Sequence, residues 1–366
     1  MSRAKKPSST PPASRVTVQE VADLAGVSIG TVSRVINNVP GVKPSVFQKV
    51  QTAIEELGWS PNIAAQNIRA SSSRMIGFIF SDIRNSLYAS MTKGAEELLS
   101  SKGYLLVTAS SDGHPDREVA LIDLFKRRRA DGMILTIQEE NNHAVLAAIA
   151  GSGIPYVMLE REDTLGSVSI GADHFRGTRQ AVEYLIGLGH KRIALITGGR
   201  GTRVARDRLR ALETALIAAG IDPDPELLCL ESFSAEYGLR QTQRLMSMAN
   251  PPTALLSMGV RLLPGVLEAL QLLNKKFPDD ISLICSNDTE ISRIMTPQIT
   301  AVRYDALALG RMAAESLVDQ IEGRTAGTTA VRIDIPTELI LRDSCRVVMQ
   351  PAPAQVSEKK VSIKDA

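Results

Sequence analysis

The segment from Val16 to Asn38, VTVQEVADLAGVSIGTVSRVINN, brings together side chains suited to reading the edge of a base pair. Arg34 carries a permanently charged planar fork that matches the two acceptors of a guanine. Ser28, Ile29, Gly30, Ser33 and Asn37 lie around it at a spacing that keeps them on one helical face. Two other stretches suggest enzyme chemistry and fail. Gly26-Val27-Ser28-Ile29-Gly30 has the G-x-S-x-G form of a hydrolase elbow, but the elbow needs a preceding strand and here a helix precedes it. Gly198-Gly199-Arg200-Gly201-Thr202 follows an apolar run yet fits neither the dinucleotide nor the P-loop spacing. The four histidines and the cysteines Cys229, Cys285 and Cys345 are scattered, so neither a metal site nor a disulfide framework is indicated. No nucleophile–base set is visible; the expectation is a non-enzyme with no cofactor and no metal.

The elements that must hold Arg34 in place can be read directly. Thr17, three residues before Glu20, forms a capping box that starts a helix. Val18, Val21, Ala22 and Ala25 give that helix one apolar face, and Gly26 ends it by accepting the positive φ of a tight turn. Ser28 caps a second helix, Ile29 to Asn37, with Val32, Val35 and Ile36 inward. Pro44 opens a third over Ser45 to Leu57, which closes a small core against which Trp59 packs. Two short helices joined by a Gly-containing turn are a helix-turn-helix, although a capped hairpin of this spacing also occurs as a plain piece of a bundle.

Charge supports the first reading. The whole chain carries +2, yet residues 1–72 hold eight basic against four acidic side chains, which leaves +4 on the head and −2 on the rest. A basic head on a mildly acidic body fits local phosphate binding. The 366 residues, 44% hydrophobic and 22% charged, suit a soluble protein of two or three domains. The start, MSRAKKPSSTPPAS, lacks the apolar core of a signal peptide, and no apolar run reaches membrane-spanning length, so a cytoplasmic location is expected.

VADLAGVSIGTVSRVINN, followed by Pro61-Asn62 and the short segment IAAQNIRA, resembles the lactose-repressor and purine-repressor (LacI-type) family of bacterial transcription regulators. The resemblance runs from Val16 to about Arg346. It implies an N-terminal all-α helix-turn-helix DNA-binding domain and an α/β two-lobed effector domain of the periplasmic-binding-protein type, built on two doubly wound parallel sheets. From Arg74 onward, short β-branched runs do alternate with amphipathic helices, as parallel sheets covered on both faces require. The implied organisation is a basic disordered tail (1–14), the reading domain (15–60), a hinge helix and linker (61–73), the effector domain (74–345) and a disordered tail (346–366). The N-lobe takes about 74–172 and 303–331, and the C-lobe about 173–302 and 333–345.

The resemblance assigns DNA contacts to Thr17, Ser28, Ile29, Gly30, Thr31, Ser33, Arg34 and Asn37, and to Asn62 and Ile68 of the hinge. Ile68 stands where the family has a leucine that wedges into the minor groove. Effector contacts fall to Asn85 and Tyr88 in Asp82-Ile83-Arg84-Asn85-Ser86-Leu87-Tyr88, Arg161 in Leu159-Glu160-Arg161, and Arg208 in Arg206-Asp207-Arg208-Leu209. Phe233 supplies a stacking ring, and Asn287 lies in Cys285-Ser286-Asn287-Asp288. Two stretches depart from the family: Gly259-Val260-Arg261 replaces Asn-Asp, and Asn287 replaces an acid. A less negative cleft containing Arg161, Arg208 and Arg261 points to a sugar acid or sugar phosphate. Solvent exposure of Arg261 and pairing of Arg161 with a neighbouring acid stand as alternatives.

The implied function is an effector-controlled DNA-binding regulator, usually a repressor, acting on a pseudo-palindromic operator. The C-terminal stretch lacks a leucine heptad, so a homodimer is expected. A transporter's solute-binding protein shares the two-lobed architecture but needs a secretory leader and no reading head.

Overall fold

The computed structural model describes residues 16–36, 39–59, 72–324 and 331–348. Asn37, Asn62, Ile68, the N-terminal tail and the hinge segment lie outside the described residues. The chain divides into two compact units after Ser71.

In the first unit, α1 spans Val18–Ala25, α2 Ile29–Ile36 and α3 Pro44–Leu57. The Thr17 amide donates to the Glu20 carboxylate at 2.6 Å while Thr17 Oγ1 accepts from the Glu20 amide at 3.4 Å, so both halves of the capping box are present. Gly26, at φ 67, closes α1 by donating to the carbonyls of Ala22 and Asp23. Ser28 Oγ accepts from the Thr31 amide at 3.2 Å at the head of α2. The core is Val21, Ala22, Ala25, Val32, Val35, Val50 and Ala53, with Trp59 packed against it. These side chains are small, and the apolar area they remove from water is correspondingly modest.

The second unit alternates strand and helix. Its first sheet contains β1 (Met75–Phe80), β2 (Leu105–Ser110), β3 (Gly132–Leu135), β4 (Tyr156–Leu159) and β5 (Val168–Ala172), wrapped by α4 (Ser86–Ser101), α5 (Pro115–Arg127) and α6 (His143–Ser152). After α7 (His174–Gly187), the second sheet follows with β6 (Ile193–Gly198), α8 (Arg203–Ala218), β7 (Leu228–Glu231), α9 (Ala235–Met246), β8 (Ala254–Ser257), α10 (Leu262–Leu272), β9 (Ser282–Ser286), α11 (Glu290–Ile294) and β10 (Thr300–Arg303). The chain then returns through α12 (Ala306–Ile321) and β11 (Arg332–Ile335) to the first sheet and ends with β12 (Glu338–Ile340) in the second.

Strand order is β11-β5-β4-β3-β1-β2 in one six-stranded sheet and β12-β10-β9-β8-β6-β7 in the other; only the β10–β12 pair is antiparallel. The period of two is visible along β1. Ile76, Phe78 and Phe80 enter the core beneath α4 and α12, while Ile79 points to the opposite face beneath α5 and α6. The second sheet is covered on both faces in the same way. The chain passes between sheets after β5, after β10 and after β11.

Two details differ from the sequence reading. Apolar β-branched runs mark β1, β2, β3, β4, β6, β8 and β9 in the sequence, but not β5, β7, β10, β11 and β12. The latter are short, and several, such as Arg332-Ile333-Asp334-Ile335, alternate with charge rather than standing out as apolar. Residues 346–348, which the sequence reading assigns to a tail, are bonded to the second lobe. The Arg346 amide donates to Ser282 Oγ at 3.0 Å and the Val348 amide to the Leu188 carbonyl at 2.8 Å, which ties this stretch to the second lobe. Among the described residues, no helix is long and apolar enough to cross a membrane.

Candidate nucleic-acid interface and ligand cleft

The face of α2 turned away from the core consists of Ile29, Gly30, Ser33 and Arg34, all exposed, with Thr31 at its edge. Val32 and Val35 on the opposite face hold it in place. A Cβ added at Gly30 would meet only Ser28 Oγ at 3.8 Å, and its φ is not positive. Nothing inside the fold therefore calls for glycine there, and in a helix glycine costs roughly 1 kcal/mol relative to alanine. Thr17, at the N-cap of α1, and Ser28, at the head of α2, are exposed as well.

In the second unit the carboxyl ends of the parallel strands of both sheets face one another around a cavity of about 320 Å³. Asp82 and Arg84 follow β1, Gln138 follows β3, Glu160 and Arg161 follow β4, and His174 follows β5; Arg208 reaches in from α8, which follows β6, while Phe233 and Arg261 follow β7 and β8 and Ser286 ends β9. Ligands of open α/β sheets occupy this location, beyond the strand ends. Cavities of roughly 300–1,000 Å³ accommodate small molecules.

Of the six sequence-assigned effector residues, Asn85, Tyr88, Arg161, Arg208 and Phe233 line the cavity. Asn85 also caps α4, its Oδ1 accepting from the Leu87 amide at 3.1 Å. Tyr88 stacks on Phe80 at 5.1 Å between centroids and shares a 3.1 Å hydrogen bond with Ser81. Asn287 is not on the wall. At φ 65 the chain turns there, Asn287 Oδ1 accepts from the Asp288 amide at 3.0 Å, and Ser286 presents its hydroxyl instead. Sequence reasoning also passed over His174, Tyr304, Gln138 and Ser286. Each is a lone polar residue at or just beyond a strand end, and only the strand boundary would have marked it.

The floor is charged and buried. Arg208, 3% exposed, donates to Thr197 Oγ1 at 3.3 Å, to the Met258 carbonyl and to Ser286 Oγ at 3.2 Å, while its Nε has no hydrogen-bond partner. Burial pushes its pKa down, against the pull of Tyr304, Glu160 and Asp207. Arg161 donates to the carbonyls of Ile137 and Glu160, so its partners are backbone oxygens rather than a neighbouring acid. Glu160 accepts from the His174 ring and, at 2.9 Å, from the Ala172 amide. Burial opposes its charge, but His174 and that amide carry its pKa below the ordinary value of 4.5. Glu160 also sits at φ 57, a left-handed conformation uncommon for non-glycine residues and concentrated at functional sites.

Phe233 lies over two glycines. A Cβ on Gly198 would stand 2.0 Å from its ring, and one on Gly259 2.8 Å. The missing side chain at 259 thus makes room for the ring. Arg261 does not project into solvent: it is 18% exposed and forms an ion pair with Asp82 of the opposite lobe, which also receives Arg84 Nε and Nη2 at 3.1 Å. A second cross-lobe brace joins Arg206 to Glu140 and Glu162 at 2.7 Å each and Arg203 to Asp334 at 2.9 Å.

Comparison with known proteins places these features. Residues 17–62 match the model of bacterial regulatory proteins of the lacI family, and residues 182–345 match a periplasmic binding protein-like domain. The HTH-type transcriptional regulator DegA of Bacillus subtilis is 31% identical over 340 residues, spanning 90% of this chain and 98% of DegA. Among solved structures, the lac repressor dimer bound to operator and the anti-inducer ONPF matches with a TM-score of 0.79 at 27% identity, over 91% of this chain and 99% of that one. The CelR–cellobiose complex matches with a TM-score of 0.68 at 29% identity, over 90% of this chain and 100% of that one. The chain belongs to the lacI family of bacterial transcription regulators.

Proposed function

We propose that this protein is an effector-controlled, sequence-specific DNA-binding regulator acting as a repressor, with α2 as the reading helix and the interlobe cavity as the sensor. The observation that carries the proposal is the presence, in one chain, of a capped helix pair with Arg34 exposed and a cavity framed by strand ends from two lobes. Arg34 reads a guanine edge; Ile29 offers an apolar contact for a thymine methyl, and Gly30 admits close approach. Thr17, Ser28, Thr31 and Ser33 contact phosphates, which fix register. Asn37 extends the reading face, while Asn62 and Ile68 act at the centre of the site. Two copies related by a two-fold axis place two such helices in successive major grooves of a roughly palindromic operator; the lac repressor, a relative, is seen as a dimer bound to operator. The effector is a small polar solute of the sugar class, gripped by Asn85, Tyr88, Arg161, Arg208 and Ser286 and stacked on Phe233. CelR, a relative, is seen with cellobiose. Reading chromosomal DNA puts the protein in the cytoplasm. A solute-binding role in transport gives the reading helices no task.

The effector controls DNA binding only if it binds the free and operator-bound conformations with different affinity. The test is fluorescence anisotropy of a selected operator duplex, with and without sugar. Wild type should prefer operator over scrambled duplex, and Arg34→Ala should lose about 1–3 kcal/mol of that preference. Unchanged preference in the variant would refute Arg34 as a reader.

A further inference from the structure

We infer that Arg261 is the anion receptor of the cavity, held in reserve by Asp82, and that the effector carries a carboxylate or phosphate that takes Asp82's place on it. The inference rests on the reading of the cavity as the effector site. Charge is the first ground. The lining contains Arg84, Arg161, Arg208 and Arg261 against Asp82, Asp112 and Glu160, four positive to three negative. Asp112 is already matched by Arg117 outside the lining, which leaves two lining carboxylates, Asp82 and Glu160, for four guanidinium groups, with Glu118 and Asp207 acting on Arg161 and Arg208 from behind the wall. The exposed Glu236 near Arg84 lies outside the lining.

The second ground is geometric. Asp82 receives both Nε and Nη2 of Arg84 as well as Arg261. When Arg261 leaves, Asp82 keeps a two-pronged partner, so the exchange does not strand a carboxylate. Arg261 follows β8 and Asp82 follows β1, each separated by at least one strand from those where the chain crosses between lobes. Their pair therefore spans the cleft away from the crossings, and an anion seated on Arg261 replaces one lobe-to-lobe link with another that runs through the ligand. The third ground is the floor. Arg208 is buried with an unpartnered Nε, and Arg161 beside Glu160 donates to carbonyl oxygens. A solute whose acidic end meets Arg261 and whose hydroxyls meet Arg161, Arg208 and Ser286 satisfies donors at both ends, with Phe233 against its apolar face.

The experiment is calorimetric titration of the full-length protein with matched pairs: glucuronate and glucose, galacturonate and galactose, and glucose 6-phosphate and glucose. Wild type should bind at least one acid about tenfold or more tightly than its neutral partner, an advantage that shrinks as salt is added. Arg261→Gln should bring that acid-to-neutral ratio to near one, and Asp82→Asn, which removes the competitor, should raise it. The inference is overturned if only neutral sugars bind, if Arg261→Gln weakens acid and neutral partner equally, or if Asp82→Asn lowers the ratio. Neutral-only binding would leave the cavity as effector site standing; absence of binding by every probe would overturn both.

Discussion

Replacing Gly198 with alanine tests the wall of the cavity most sharply. Its Cβ would stand 2.0 Å from Phe233 Cε2 and 2.4 Å from Cζ. Carbon atoms in contact keep ~3.5–4.0 Å apart, so the ring must retreat by about 1.5 Å. Forced overpacking of this kind costs about 1–3 kcal/mol. The available retreat is into the cavity, so sugar affinity should fall as well. In a Phe233→Ala background the obstacle is gone, and the same Gly198→Ala change should be neutral or stabilising by up to about 1 kcal/mol, the usual gain from replacing a strand glycine. The double-mutant cycle should therefore return a coupling of about 1 kcal/mol or more. Urea unfolding should be followed by circular dichroism, because the only tryptophan, Trp59, lies in the reading unit. An equal cost for Gly198→Ala in both backgrounds would refute the account of this wall.

Other consequences follow from the caps, the reading face and the buried acids. Thr17→Ala removes the capping box and should cost the reading unit about 1 kcal/mol, seen as a lower melting midpoint in Trp59 fluorescence. Gly30→Ala, whose methyl would meet only Ser28 Oγ at 3.8 Å within the fold, should raise the stability of that unit by up to about 1 kcal/mol; if α2 reads DNA as proposed, it should also weaken operator binding, and unchanged operator affinity would remove glycine from the reading face. Burial raises the pKa of Glu118 above 4.5, against its bonds from the Gln138 amide and Ser111. The folded protein then binds this proton more tightly than the unfolded chain. Its contribution to stability is full below 4.5 and is lost as pH rises through the raised value. Glu118→Gln should flatten that decline in melting temperature across weakly acidic pH.

How much of this was legible in the sequence differs between the two units. The reading head was readable almost residue by residue, because capping boxes, αL glycines and helical periodicity are local effects: Thr17, Gly26, Ser28 and the Val32–Val35 stripe each act within four residues of chain. The alternation of strand and helix was readable for the same reason, through runs such as Met75–Phe80. The cavity was only partly visible. Its wall is assembled by neighbours far apart in sequence, and residues such as His174 and Tyr304 have no local pattern that marks them. Asn287 shows the limit clearly: the turn at that residue puts Ser286, rather than Asn287, on the cavity lining. Arg261 was recognisable as an unusual cation, but its partner, Asp82, sits on the other lobe and could not be inferred from spacing.

The central claim is that one end of the chain reads a DNA sequence and the other governs that reading through a small ligand. Selection from a randomised duplex library by the full-length protein, run with and without the sugars and sugar acids named above, measures both halves at once. The account predicts enrichment of one two-fold symmetric sequence and a change in its bound fraction when a ligand is present. No enriched sequence under any condition would contradict it.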